Sequence, residues 1–418
     1  MEQTMSQSPV KEKFLHQLAG HSSALQNISP GNVQTALRAL DDLDFPTTRT
    51  EDWKYTRTGR ISAGEWKIIN NQHDIDITPF LIPGLDADVI VFVNGFYRDD
   101  LSSLSSEHIL LTTDWSDETP KSFKNIFQAL NIAYSTAAIQ LRIAKNAVAQ
   151  KAIHLLHLTA DESAMALPNI HIATGQSSDL HVVESFVTLS GRSLTQRSLD
   201  ITIGENAKLH LDKIQMEGDE NFLLNEENVM VASNGHFTIN TLTVDGGWVR
   251  NDLNIALDGK NIEANLNGFY LPRKKQLVDN HTMVDHRQPH SNSNELYKGL
   301  LNDNSIGVFN GKVYVQQDAQ KTNAFQSNSN ILLSDDAQMN TKPELEIYAD
   351  DVKCSHGTTT GQMDENALFY LKSRGLGDES AKKLLATAFV NDVLNKVEKE
   401  AVRSYVTGEL VKRELLFV

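Results

Sequence analysis

The only cysteine of this chain, Cys354, stands two residues before a histidine in the segment Asp350-Asp351-Val352-Lys353-Cys354-Ser355-His356-Gly357-Thr358-Thr359-Thr360-Gly361. A thiolate and an imidazole are the side chains best suited to soft and borderline metals. In an extended segment, residues i and i+2 project to one face. A strand here would present Cys354 and His356 side by side, as half of a metal or sulfur site completed from elsewhere. A free cysteine is commonly a small buried hydrophobe. The adjacent His356 and Lys353 argue for chemistry, because a nearby cation favours the thiolate.

A second constellation is His281-Thr282-Met283-Val284-Asp285-His286-Arg287-Gln288-Pro289-His290, with Asp279 just upstream. Imidazole and carboxylate suit iron and other transition metals. A self-contained metal-binding β-helix enzyme using His281, His286 and His290 is therefore the alternative reading. The spacing matches no known ligand set, so a polar loop outside the coil is the plainer one. The chain has no phosphate loop of the Gly-x-x-x-x-Gly-Lys-Ser/Thr kind, no Gly-x-Gly-x-x-Gly, no His-Glu-x-x-His and no Gly-x-Ser-x-Gly. One cysteine cannot hold a four-cysteine cluster.

The elements that position these residues differ along the chain. Residues 7 to 45 read as helix broken at Ser29-Pro30-Gly31, with Phe14, Leu15 and Leu18, then Val33, Ala36, Leu37 and Leu40, at helical spacing. The charged, aromatic stretch Arg49-Thr50-Glu51-Asp52-Trp53-Lys54-Tyr55-Thr56 does not look like core. A strand is predicted at Val89 to Asn94 and a helix at about 121 to 138. From about 139 to 360 short alternating runs recur, among them Ala152 to Leu158, His181 to Leu189, His236 to Val244 and Val308 to Val315. Turn residues separate many of the runs, at 204–207, 233–235, 245–247 and 258–261. Such a pattern fits a sandwich, a barrel or a β-helix. The length of the region, its Asn/Ser-rich stretches at 291–294 and 326–330, which suit coil corners, and its lack of regular hairpin dipeptides favour the β-helix.

After Gly361 helices return. Asp364 is a candidate cap for one, ended near Gly375, and Asp378 for a second. Ala381, Leu384, Leu385 and Ala388, then Val390, Val393, Leu394 and Val397, form an apolar stripe. This helical pair is expected to cover the open end of the β-helix or to dock a partner. The domains are then 1–138, mostly helical with a small mixed α/β part; 139–361, a parallel β-helix core; and 362–418, helical.

Composition narrows the partners. The 418 residues carry a net charge of −16, which disfavours nucleic acid and anionic membrane. No apolar run approaches the roughly 20 residues that span a bilayer. The polar stretch Met1 to Val10 lacks a signal-peptide pattern, and a lone cysteine forms no internal disulfide, so a cytoplasmic protein is expected.

Several motifs resemble the SufB/SufD family of iron–sulfur cluster assembly proteins. They are Tyr297-Lys298-Gly299, Gly307-Val308-Phe309-Asn310-Gly311-Lys312-Val313, Gln317-Asp318-Ala319-Gln320-Lys321-Thr322, Lys342-Pro343-Glu344-Leu345-Glu346-Ile347-Tyr348-Ala349 running into the Cys354 segment, and Leu368-Phe369-Tyr370-Leu371-Lys372-Ser373-Arg374-Gly375. The early Arg49-Thr50-Glu51-Asp52-Trp53-Lys54-Tyr55 also fits. Cys354-Ser355-His356-Gly357, and the absence of cysteine from Ser334 to Pro343, resemble the SufD-like branch.

The resemblance implies a right-handed parallel β-helix with helical N- and C-terminal parts. It implies a non-catalytic scaffold subunit of a SufBCD complex. SufB would pair through the β-helix, and the ATPase SufC would bind the C-terminal helices through Phe369, Tyr370, Arg374, Leu384, Leu385 and Phe389. A transient cluster or iron would form at the SufB–SufD interface, with His356 and Cys354 as this chain's ligands and nothing held by the chain alone. A homodimer in isolation and a flavin in the full complex are left open.

Overall fold

The computed structural model describes residues 8–21, 28–71, 74–113 and 123–414. Two ten-stranded sheets face each other, and successive strands of the coil alternate between them. The first sheet ends in the order His236–Asp245, Glu263–Tyr270, Asn292–Leu301, Asn323–Leu332, Lys353–Gly361. The second runs back from Gln338–Ile347 through Ile306–Val315, Leu277–His286 and Trp248–Leu257 to Phe222–Val231 and beyond. Pairing along both sheets is parallel, apart from the short antiparallel strands Phe96–Tyr97 and Ile109–Thr112 at their far ends. Lys208 pairs with His236 and Asn292 with Asn323, so one turn of the coil takes about 30 residues. This is the expected parallel β-helix.

Its corners explain the turn residues. Asn206, Asn234 and Asn261 each adopt φ of 56° or 57°, the left-handed region that Asn tolerates best after Gly. The backbone N–H of Asn206 donates to the Ser233 carbonyl at 3.0 Å, and that of Asn234 to Lys260 at 2.8 Å. Each corner is thus hydrogen-bonded to the next. Between corners, alternate side chains fill the coil: Ile153, Leu155, Val182, Leu209, Leu211, Phe237, Ile239, Leu253 and Ile255 form one continuous buried core.

The helices lie on the flanks. Pro9–Leu18 and Pro30–Asp42 bring Phe14, Leu18, Ala36 and Leu40 against Phe222, Leu224 and Trp248 on the outside of the second sheet. Pro30 occupies the first turn of its helix, where its missing N–H costs nothing. The predicted span 7–45 also includes residues 7 and 22–27, which lie outside the described residues.

Several expectations need correction. The helix predicted at about 121 to 138 is Ile126–Ala133, capped by Asn125 through the N–H of Gln128, and residues 121–122 lie outside the described residues. Strand Ala137–Ile143 takes over, since a run apolar on both faces suits a buried strand as well as a helix. The sheets also begin upstream of residue 139, with Ala87–Val93 pairing in parallel to Ala152–Thr159. Asp378 is the first residue of helix Asp378–Leu394 rather than its cap, which is Gly377. Trp53 is not surface. It is 3% exposed and stacks on Phe127 at 5.4 Å and Trp248 at 6.5 Å between ring centroids.

The C-terminal helices do not close the open end of the coil. Val390, Val393, Val397, Val402, Val406 and Leu410 pack on Ile214, Leu242, Phe269 and Leu300, an apolar stripe on the outside of the first sheet. Full burial of each such side chain is worth about 1.5–3 kcal/mol. The end of the coil offers no comparable apolar target, because the inward row of its last strand continues from His356 into Thr358 and Thr360. Lys353–Gly361 remains exposed along nearly its whole length.

Candidate functional site

The strand Lys353–Gly361 is the last rung of the first sheet, paired only with Asn323–Leu332. Its register sets Cys354 beside Ala324, His356 beside Gln326, Thr358 beside Asn328 and Thr360 beside Asn330. Ala324, Gln326, Asn328 and Asn330 are the buried, inward-facing residues of their strand. Cys354 and His356 therefore share one face, as anticipated, and it is the inner face of the coil. No further turn among the described residues covers it, and His356 is exposed.

The opposing strand, Gln338–Ile347, is likewise the end of the second sheet. Thr341 and Thr358 touch across the coil, 3.0 Å between hydroxyl oxygens. Pro343 sits on this edge strand, where a missing N–H breaks no ladder. The open end thus carries a thiol, an imidazole and several hydroxyls on a frame held from below by continuous pairing.

Cys354 is half-buried beside Val313, Val315, Ala319, Ala324 and Val352. Burial pushes its thiol above the ordinary value, and the Ala324 backbone opposes that only in part. The expected activation by Lys353 is not found. Neighbours on a strand face opposite ways, so Lys353 projects from the outer face. His356, by contrast, is the exposed imidazole of the row.

The histidines at 281 to 290 do not converge. His281 and His286 lie on one strand, Leu277–His286, rather than on a polar loop, and an odd offset of five puts them on opposite faces. The Nε2 of His281 lies 2.9 Å from Asp279 Oδ1 and 3.2 Å from Arg250 Nη1, outside the coil. His286 is buried inside, its Nε2 2.9 Å from Ser293 Oγ, and burial pushes its pKa down to about 4. His290 occupies a corner at φ 68°. Among the described residues no three His, Cys, Asp or Glu side chains are grouped to hold a metal.

The residues named for partner binding divide into two sets. Phe369 is 75% exposed, Tyr370 56% and Leu384 41%, all on the helices Glu365–Ser373 and Asp378–Leu394. The Arg374 guanidinium lies 5.2 Å from the Tyr370 ring centroid. Leu385 is half-buried, and Phe389 packs inward with Lys298 Nζ 4.3 Å from its ring centroid.

The reading of 326–330 as a coil corner is corrected by the structure, which places these residues on strand Asn323–Leu332, beneath His356. Gln326 Nε2 donates to Glu295 Oε2 at 2.7 Å inside the coil, and burial pushes Glu295 up to about 7. The Tyr270 hydroxyl donates to Asn330 Oδ1 at 2.5 Å, and Asn328 Nδ2 donates to that hydroxyl at 3.2 Å. All five residues of 326–330 are polar, so which of them face inward is legible only once the strand's face is fixed.

A family model described as the SufBD core domain of SUF-system FeS cluster assembly matches residues 157–389. The iron-sulfur cluster assembly protein SufD of Escherichia coli is 28% identical over 389 residues, covering 91% of this chain and 92% of its own. An iron-sulfur cluster assembly SufBD family protein of Synechocystis is 28% identical, covering 87% and 86%. Another from Pyrococcus horikoshii is 29% identical, covering 66% of this chain and 61% of its own.

Proposed function

Because the chain belongs to the SufB/SufD family of SUF-system cluster assembly proteins and is SufD-like within it, we propose that it is a non-catalytic scaffold subunit for iron–sulfur cluster assembly. The observation that carries this reading is the inward row Cys354–His356 on an uncovered last rung. A coil end that exposes its own interior is a template for a second coil. A SufB chain docked there would bury the row and complete its ligand set.

In this reading the nascent cluster or iron is cargo. His356 offers a nitrogen ligand, and Cys354 assists as a thiol that must lose its proton to bind metal. The chain has no phosphate loop, and the energy comes from a SufC ATPase bound at Phe369, Tyr370, Arg374 and Leu384. The half-buried Leu385 and Phe389 support that surface from below. A homodimer through the same coil end, and a flavin held by the whole complex, are compatible with this arrangement. No described helix is long and apolar enough to cross a membrane, and a cytoplasmic site of action belongs to the same reading.

The test is reconstitution with a SufB chain and a SufC ATPase. The complex containing His356→Ala should assemble to the same size on a sizing column but form no cluster by visible absorbance. Normal cluster yield from that complex would defeat the reading.

A further inference from the structure

Glu295, Gln326 and His356 stand in one row across the last three strands of the first sheet, all facing the coil interior. Gln326 is 3% exposed. Its amide is oriented from below, since Nε2 donates to Glu295 Oε2 at 2.7 Å. It is also confined from across the coil, because a side chain at Gly311 would collide with the same amide nitrogen. With Nε2 committed, Oε1 is the polar atom that remains, and it has no hydrogen-bond partner. A buried carbonyl oxygen left unpaired is destabilising. The next side chain in its row is the exposed imidazole of His356.

We infer that Gln326 is a positioning residue for His356: its Oε1, unpartnered in the structure, is the acceptor for a ring N–H when the exposed imidazole turns down onto it, and so fixes which imidazole nitrogen keeps a lone pair toward the open end. A neutral imidazole has one donor nitrogen and one acceptor. An acceptor beneath the ring selects the tautomer whose free lone pair points outward, as the partners behind metal-binding histidines do. Glu295 acts one step further back. Ionised, it can only accept from Gln326, which keeps the amide from flipping and presenting N–H to the ring. The functional use of this tautomer rests on the proposed role of His356, but the tautomer itself does not.

The experiment is nitrogen NMR of the full chain with 15N-labelled histidine, in alkaline buffer where Glu295, pushed up to about 7, is ionised. The His356 signals are assigned by their loss in His356→Gln. One tautomer should dominate by about tenfold, the bias that one net hydrogen bond gives. Gln326→Met should abolish that bias. Glu295→Leu, which frees the amide to flip, should abolish or invert it, and decides the matter if Gln326→Met fails to fold. Glu295→Gln keeps an acceptor oxygen and should preserve the bias. An unchanged tautomer ratio in Gln326→Met or Glu295→Leu would overturn the inference. A bias that behaves as described, in a chain whose His356→Ala variant still supports cluster formation, would support this inference while sinking the proposed function.

Discussion

The Arg250 guanidinium lies 3.9 Å from the centroid of the Trp53 ring, although the two residues lie far apart in sequence, one in the early charged segment and one in the middle of the coil. Arg250 also bonds Asp252 Oδ1 at 2.7 Å and Asp279 Oδ2 at 2.6 Å, so a buried cation is paired on its edge and stacked on its face. Its Nη1 donates to the Asp52 carbonyl at 2.8 Å, which ties the N-terminal segment to the second sheet. Trp53→Ala should cost about 3–5 kcal/mol in chemical denaturation. Arg250→Met, which removes the guanidinium and leaves the buried Asp279 with only His281 and Thr56 beside it, should also be strongly destabilising, by about 3 kcal/mol or more. Loss of less than about 1 kcal/mol in either would mean that this junction does not hold the N-terminal part in place.

The buried acids predict a loss of stability in alkali. Glu295 and Glu226 are pushed up to about 7 and Glu217 to about 8, in each case chiefly by burial. Each binds its proton more tightly folded than unfolded. Its contribution is whole below the ordinary 4.5 and is lost as pH rises through about 7 to 8. Glu295→Gln should flatten that decline by an amount on the order of 3 kcal/mol between pH 5 and pH 8, read by urea melts. Equal slopes in both proteins would refute it.

The buried imidazoles act at the other limb. His154 and His286 are held down at about 4 by burial. Unfolding lets them charge below the ordinary 6.5, so stability falls as pH drops from 6.5 toward 4. His286→Gln, which keeps a polar group near Ser293, should lessen the acid loss. An unaltered acid limb would place its cause elsewhere.

Cys354 should matter less than His356. Its thiol is half-buried with a raised pKa, so alkylation at pH 8 should be slower than that of a free thiol. Cys354→Ser in the reconstituted complex should lower cluster yield without abolishing it. A defect as severe as that of His356→Ala would make the cysteine the principal ligand.

The proposed docking of a SufC ATPase is best tested without truncation. Removing residues after Gly361 would strip the helices that cover Ile214, Leu242 and Phe269, and so expose core as well as delete a surface. The pair Phe369→Ala and Leu384→Ala changes exposed side chains and should leave stability within about 0.5 kcal/mol. The same pair should abolish co-elution with SufC on a sizing column. Retained co-elution would put the contact elsewhere.

Much of the fold was legible because its rules are local. Corner residues such as Asn234 announce a left-handed backbone, and Asp364 caps its helix through the N–H groups of Asn366 and Ala367 as its position suggests. That Cys354 and His356 share a face followed from strand periodicity alone. What stayed hidden depends on contacts far apart in sequence. Trp53 looked like surface because its burial comes from Phe127 and Trp248. Strands such as Asn292–Leu301 and Asn323–Leu332, rich in Asn and Ser, have weak hydrophobic alternation, since the interior there is amide and hydroxyl. The apolar helical stripe indicated that something would be covered, but not that it would be the flank of the coil rather than its mouth.

A coil in which each turn touches mainly its neighbours behaves as a one-dimensional stack. Interior turns are gripped on both sides, whereas the turn made by Gln338–Ile347 and Lys353–Gly361 is gripped on one. Fraying should therefore begin there, and its amides should exchange with solvent through partial opening long before the rest. The strand that bears His356 is thus the one whose order depends most on being covered. Whatever molecule seats itself on that end supplies the missing neighbour, so its association and the final annealing of the last turn are a single thermodynamic event.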